Sequence, residues 1–195
     1  FKLMEKYAAQ GAGYLSSTTS MGEGIRMMQA VGALVNEDQL SYIPTFPMGV
    51  QTGERSGTIG STYTWKAGGI CVNQEGKRFV NEQESRVDVR EVALEEQTNA
   101  VQYDIYTDKI LEDLRANNGA FMFDLYFGEE GRAKQLVQSA SSLEELAEKI
   151  NVPAENLVAT VEAYNESVEQ GGTDEFGRSY DASNVGNAYS VAINK

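Results

Sequence analysis

The chain has 195 residues, 41% of them hydrophobic, which is enough for one or two modest domains with a real core. Sixteen Lys and Arg stand against 29 Asp and Glu, and the net charge of -13 argues against nucleic acid or an anionic membrane as a partner. Histidine is absent and cysteine occurs once, at Cys71, which excludes an internal disulfide, a cysteine-cluster metal site and every Ser-His or Cys-His arrangement. Carboxylates, Tyr, Lys and Arg are left for any chemistry. No apolar run approaches the ~20 residues of a membrane helix. No signal peptide is visible, and the start at Phe1 suggests an excised piece of something longer.

Residues 1–9 are helix-compatible until Gly11-Ala12-Gly13 interrupts them. Gly11-x-Gly13 lacks the third glycine, the preceding strand and the βαβ setting of a dinucleotide fingerprint, and is not read as one. Ser20-Met21-Gly22-Glu23-Gly24 opens a helix with Ile25, Met28 and Val31 at the 3.6 period, ended by Gly32. On residue type alone Glu23 is a dipole-favoured carboxylate at a helix start. Asn36 to Gln39 is a polar bend, residues 40–46 pass through Pro44, and residues 49–66 are rich in Gly, Ser and Thr without a sustained period, which predicts a long loop.

The centre of the chain is residues 67–88, AGGICVNQEGKRFVNEQESRVD. Residues 70–72 and 78–80 are β-prone, and Asn73-Gln74-Glu75-Gly76 between them predicts a hairpin with Gly76 at positive φ. Cys71 falls inside it as a small apolar residue. Arg86 stands where the hairpin hands over to a helix of about residues 87–98, with Val89, Val92 and Ala93 at helical spacing. By spacing alone it is a solvated or ion-paired surface arginine.

Residues 101–106 alternate as a half-buried strand, residues 108–114 suit a short helix, and residues 121–127 (FMFDLYF) suit core or lid contact. Residues 133–138 continue as a brief helix. Ser142 and Glu145 form a capping box ahead of a stripe of Leu143, Leu146, Ala147 and Ile150. Pro153 starts a second helix with Leu157, Val161, Tyr164 and Val168 on one face and Gly171-Gly172 at its end. Residues 174–178 (DEFGR) form a structural loop, and the chain closes on residues 187–195 (NAYSVAINK), a strand by resemblance alone.

Four separated motifs carry a resemblance: the Gly22-Glu23-Gly24 helix, G-G-I-C-V-N-Q-E-G-K-R-F-V-N-E-x-x-x-R, the run SSLEELAEKINVPAENLVATVEAYNESVEQGGTDEFGR, and the closing strand. Together they resemble the FAD-dependent fumarate reductase and succinate dehydrogenase flavoprotein superfamily, in its soluble branch of flavocytochrome fumarate reductases, urocanate reductases and ketosteroid dehydrogenases. The resemblance implies FAD as cofactor, with Glu23 in contact with it where the family more usually carries Asp. It implies that Arg86 gives a proton to one substrate carbon while flavin N5 gives a hydride to its neighbour.

The position before Pro44 holds a substrate-binding histidine in relatives. Here it is Ile43, preceded by Tyr42. Tyr42, Ile43 and Thr62 are the substrate-side positions the resemblance implies; Tyr42 or Ile43 suits a larger, less charged ligand, and Ile43 equally suits plain core packing. The family's proton-relay places fall near Thr62 and Trp65, with Glu54 and Arg55 offering another route.

By the same resemblance, residues 1–40 are a helical piece of the FAD-binding domain and residues 41–195 a capping, or substrate-lid, domain, which implies an α+β fold class: a small, mostly antiparallel sheet with helices packed over it. The Rossmann half lies outside this chain. The implied function is reduction of an activated C=C bond of a small unsaturated substrate. The lid would work with its own FAD-binding domain, with no metal, and the fragment alone would be inactive. Two alternatives stay open: a ketosteroid-type dehydrogenase in which a tyrosine such as Tyr42 handles the proton, and a free-standing acidic binding module without redox activity.

Overall fold

The computed structural model describes residues 19, 21–36, 49–53, 56–59, 63–117, 119–131, 133–179 and 189–194. In chain order the elements are α1 (Glu23–Ala30), β1 (Gly49–Gly53), β2 (Ser56–Ile59), a 3-10 turn (Tyr63–Ala67), β3 (Ile70–Val72), α2 (Val87–Glu95) and β4 (Gln102–Thr107). They continue as α3 (Asp108–Ala116), α4 (Phe121–Phe127), β5 (Val137–Ala140), α5 (Leu143–Ile150), α6 (Ala154–Gln170) and β6 (Tyr189–Asn194). β1 and β2 pair as an antiparallel ribbon, and the main sheet runs β3-β4-β6-β5, antiparallel throughout. The class is α+β, as the resemblance implies.

β4 organises the core. All six of its residues are buried, and their alternation sends Tyr103 and Ile105 to one face and Tyr106 to the other. On the first face, α5 and α6 lay Leu146, Ile150, Leu157, Val161 and Tyr164 against Ile70, Val72 and Ile105. Each such aliphatic side chain contributes ~1.5–3 kcal/mol by leaving water. On the second face, Tyr106 meets Phe123 edge to face at 5.6 Å, with Ile110, Leu111 and Phe127 around them.

The helix signals act as the sequence implies. The Ser142 hydroxyl accepts from the Glu145 N–H at 3.2 Å, while the Glu145 carboxylate accepts from the Ser141 N–H and hydroxyl at 2.9 and 2.8 Å. The return half of the capping box therefore lands one residue earlier than the pattern predicts. Gly76 takes φ 73°, and a Cβ there would sit 3.0 Å from the Leu157 backbone nitrogen. That turn is clasped to α6, because Thr160 Oγ1 donates to the Gly76 carbonyl at 2.7 Å and Asn156 Nδ2 to the Glu75 carbonyl at 2.8 Å.

Five local expectations are corrected. Residues 49–66 are not a structureless loop, since they include the β1-β2 ribbon and the 3-10 turn; backbone pairing forms a ribbon that Gly-rich, non-alternating residues do not advertise. Residues 70–72 and 78–80 do not form a ladder. The turn closes on Asn73, whose N–H donates to the Lys77 carbonyl at 2.9 Å and whose carbonyl accepts from the Gly76 N–H at 3.0 Å, and the Cys71 N–H that a second arm would engage donates to Glu82 Oε1 at 3.0 Å.

β4 is buried on both faces rather than one, because helices cover both. Of residues 133–138, predicted as a brief helix, only 134–136 make a 3-10 turn, and 137–138 open the edge strand β5. Finally, α2 is inverted: Arg90, Glu91 and Leu94 are buried, while Val89 and Val92 are 38% and 46% exposed.

Candidate functional site

Arg78, Glu82, Asp174 and Arg178 form a buried ionic seat. Glu82 is 1% exposed and Arg178 0%. Glu82 accepts from the Cys71 N–H, from Arg78 Nε and Nη2 at 2.8 and 2.7 Å, and from Arg178 Nη1 at 2.9 Å. Those four donors match the acceptor capacity of a carboxylate. Arg78 also donates to Asp174 Oδ2 at 2.6 Å and lies 5.3 Å from the Tyr164 ring and 5.1 Å from the Phe176 ring. Burial opposes the Arg78 charge, yet the hydrogen bonds and charges of Glu82 and Asp174 outweigh it and raise its pKa above the ordinary arginine value.

Arg178 ties this cluster to the 3-10 turn, donating to the Trp65 carbonyl through Nη2 at 2.9 Å and to the Gly69 carbonyl through Nη1 at 2.8 Å. A side chain at Gly69 has no room, because a Cβ would lie 3.0 Å from the Thr64 carbonyl and 3.1 Å from the Ile105 oxygen. Beside the seat the Cys71 thiol donates to Asp104 Oδ1 at 3.1 Å. Burial pushes that thiol well above its ordinary pKa, and the neighbouring Asp104 and Glu82 charges push it further.

Arg86 stands outside the seat as the N-cap residue of α2, in extended conformation and without a side-chain cap bond. Its N–H donates to Glu84 Oε1 at 2.9 Å. Its guanidinium forks onto Asp88 through Nε at 3.3 Å and through Nη2. The side chain is 69% exposed, and Asp88 31%. One turn on, the Arg90 guanidinium lies 5.1 Å from the centre of the Trp65 ring.

Glu23 sits at the first position of α1, where the N-cap Gly22 has φ 79°. Its carboxylate accepts from the Met21 N–H at 3.1 Å and faces Arg26 at 3.5 Å, with its side chain 58% exposed. α1 buries none of its residues; Met27 and Met28 on it, and Val31 and Leu34 just beyond, are more than half exposed. For FAD this is a partial fit. Glu23 has acceptor capacity to spare for a hydroxyl of the cofactor, but the described residues contain no glycine-rich cradle for a diphosphate.

Arg86 and Glu23 do not pair with one another. Tyr42, Ile43, Thr62, Glu54 and Arg55 lie outside the described residues. The sequence pattern missed Glu82, Arg178 and the Arg90–Trp65 stack; the one available signal was a charged pair, Asp174 and Arg178, inside a turn that exposure alone would not require. A cleft of about 490 Å³ beside α6 is lined by Arg78, Thr160, Tyr164, Asp174 and Phe176 and by neither Arg86 nor Glu23. Its Arg78 is already committed to two carboxylates. Among the described residues no group of three His, Cys, Asp or Glu is placed to hold a metal ion, and no helix is long and apolar enough to cross a membrane.

The class emerges from the fold. Over 99% of its length the chain resembles a flavocytochrome c3 fumarate reductase in its open conformation, with TM-score 0.71, 20% identity and 32% of that chain covered. At that identity the likeness shows the fold alone. Sequence supplies the family: residues 3–194 match the family described as FAD binding domain, and the chain belongs to it. Its fumarate reductase-like character follows from relatives such as the NADH:fumarate oxidoreductase of Klebsiella pneumoniae, 32% identical over 90% of this chain and 17% of the relative.

The 4-oxocyclohexanecarboxylate 2-dehydrogenase of Sinomonas cyclohexanicum is 31% identical over 84% of this chain and 28% of its own length. The chain thus spans less than a third of these relatives. FAD is the cofactor of the family.

Proposed function

We propose that this chain is the capping part of an FAD-dependent oxidoreductase that reduces an activated C=C bond. In this reading residues 1–40 belong to the flavin domain and residues 41–195 form the lid. The observation that carries it is Arg86: an exposed guanidinium at the N-cap of α2, held through its side chain only by the partly exposed Asp88 among the described residues. When bound, FAD supplies hydride chemistry. Arg86 holds the proton destined for the adjacent substrate carbon, and its Nη1 makes no hydrogen bond among the described residues, so it is free to meet a substrate. Closing the lid removes water from that contact and strengthens it. Glu23 contributes a peripheral acceptor to the cofactor from the flavin-domain side.

The test uses the full-length protein with fumarate, urocanate and acrylate as acceptors for a reduced viologen dye. Arg86→Ala abolishes turnover while bound flavin stays near the unmodified level. Retained turnover sinks the proton-donor role. A second reading, dehydrogenation next to a ring ketone, is favoured by the Sinomonas relative. It prevails if the full-length protein oxidises 4-oxocyclohexanecarboxylate or a 3-ketosteroid with a dye acceptor and reduces none of the three alkenes.

A further inference from the structure

We infer that Arg90 is a positioning residue for Arg86: stacked on Trp65, it anchors the first turn of α2 and so sets where the Arg86 guanidinium can reach. This rests on the proposed role of Arg86. α2 has only nine residues, its N-cap makes no side-chain bond, and Val89 and Val92 face outward. Neither intrinsic helicity nor a hydrophobic stripe along those valines can hold so short an element. Its hold on the domain comes from the inward residues Arg90, Glu91 and Leu94.

Of these, Arg90 is linked most directly to Arg86. The Arg90 N–H reaches the Arg86 carbonyl at 3.5 Å, and side chains four apart on a helix are neighbours. On its other side Arg90 lies over the Trp65 ring, a favourable cation–π geometry. Trp65 is itself immobilised. Arg178 holds the Trp65 and Gly69 carbonyls, and Glu82 holds Arg178. An unbroken series of contacts therefore runs from the buried seat through Trp65 and Arg90 to Arg86. Burial pulls the Arg90 pKa below its ordinary value, with Cys71 and Glu84 pulling the other way.

The experiment compares Arg90→Met, Arg90→Lys and Trp65→Leu in the full-length flavoprotein, with flavin content checked for each. It reads kcat and KM for the best of fumarate, urocanate and acrylate, and hydrogen exchange of the α2 amides. We expect Arg90→Met and Trp65→Leu to lower kcat by about tenfold or more, with KM moved less than about threefold, since a misplaced group costs rate more than binding. The α2 amides should exchange about tenfold faster in both. Arg90→Lys, which keeps a cation over the ring, should restore most of each loss.

Unchanged kcat and unchanged exchange in a folded variant would overturn the inference, as would a loss confined to KM. If Arg90→Met does not fold, Trp65→Leu decides by the same criteria. If no alkene is reduced, the exchange readout decides alone. Turnover retained by Arg86→Ala would remove the role of Arg86 but leave the α2 exchange comparison intact, so the two failures are separable.

Discussion

Arg178 meets Glu82 with both side chains at 0% exposure, whereas Arg86 meets Asp88 with 69% and 31% of theirs open. The residue types are the same and the consequences are opposite. A buried pair has given up water on both ions and persists only where protein groups replace that water: Glu82 accepts from four donors and Arg178 donates through Nη1 and Nη2, leaving only its Nε without a partner among the described residues. Such an arginine is committed to architecture. The exposed pair keeps water as an alternative partner and can exchange Asp88 for something else at little cost. A reactive arginine needs the second condition, and a stable platform beneath it needs the first.

Three experiments on this chain break or sharpen that contrast. The largest effect is expected from Glu82→Ala, which leaves the buried Arg178 without a carboxylate and Arg78 with Asp174 alone, and should cost about 3–5 kcal/mol in denaturant unfolding. A loss below about 1 kcal/mol would mean that water enters and the seat is not dry.

Next is the thiol beside the seat. Its folded pKa is raised, so in alkali the unfolded chain loses the Cys71 proton first. Stability should then fall as pH rises above about 8.5, by up to about 1.4 kcal/mol per pH unit from this group. Cys71→Ala lacks the term, so its deficit against the unmodified chain should shrink between pH 7 and pH ~10. Parallel curves would show that the thiol can ionise in place. The smallest effect is Asp88→Asn, expected to change stability by less than about 0.5 kcal/mol. A larger loss would place the Arg86 pair among the architectural contacts and weaken its candidacy for chemistry.

Much of the domain was legible because local rules and tertiary packing agree there. The Ser142 cap, the α5 stripe, the Leu157-Val161-Tyr164 face of α6 and the positive φ of Gly76 each satisfy a local requirement and a global one at once. The failures occur where they conflict. Residues 70–72 and 78–80 look like two arms of a hairpin, but the first joins β4 and the second leads into Glu82, whose carboxylate occupies the edge. Val89 and Val92 have helical spacing and still face outward, because the inward side of α2 is taken by Arg90 over Trp65. Of the candidate site, Arg86 and Glu23 were found by motif and are exposed as their proposed roles need, while the platform under Arg86 carries no local signature.

By itself the sequence determined the α+β class, the capped helices α5 and α6, the family to which the chain belongs and the motif position of Arg86. These depend on periodicity, turn chemistry and residue identity at short range. Tertiary structure alone decided the β3-β4-β6-β5 strand order, the inversion of α2 and the meeting of Arg78, Glu82, Asp174 and Arg178. The Glu82–Arg178 contact spans 96 positions, and the free energy that holds it comes from shared exclusion of water, which no local pattern of residues encodes.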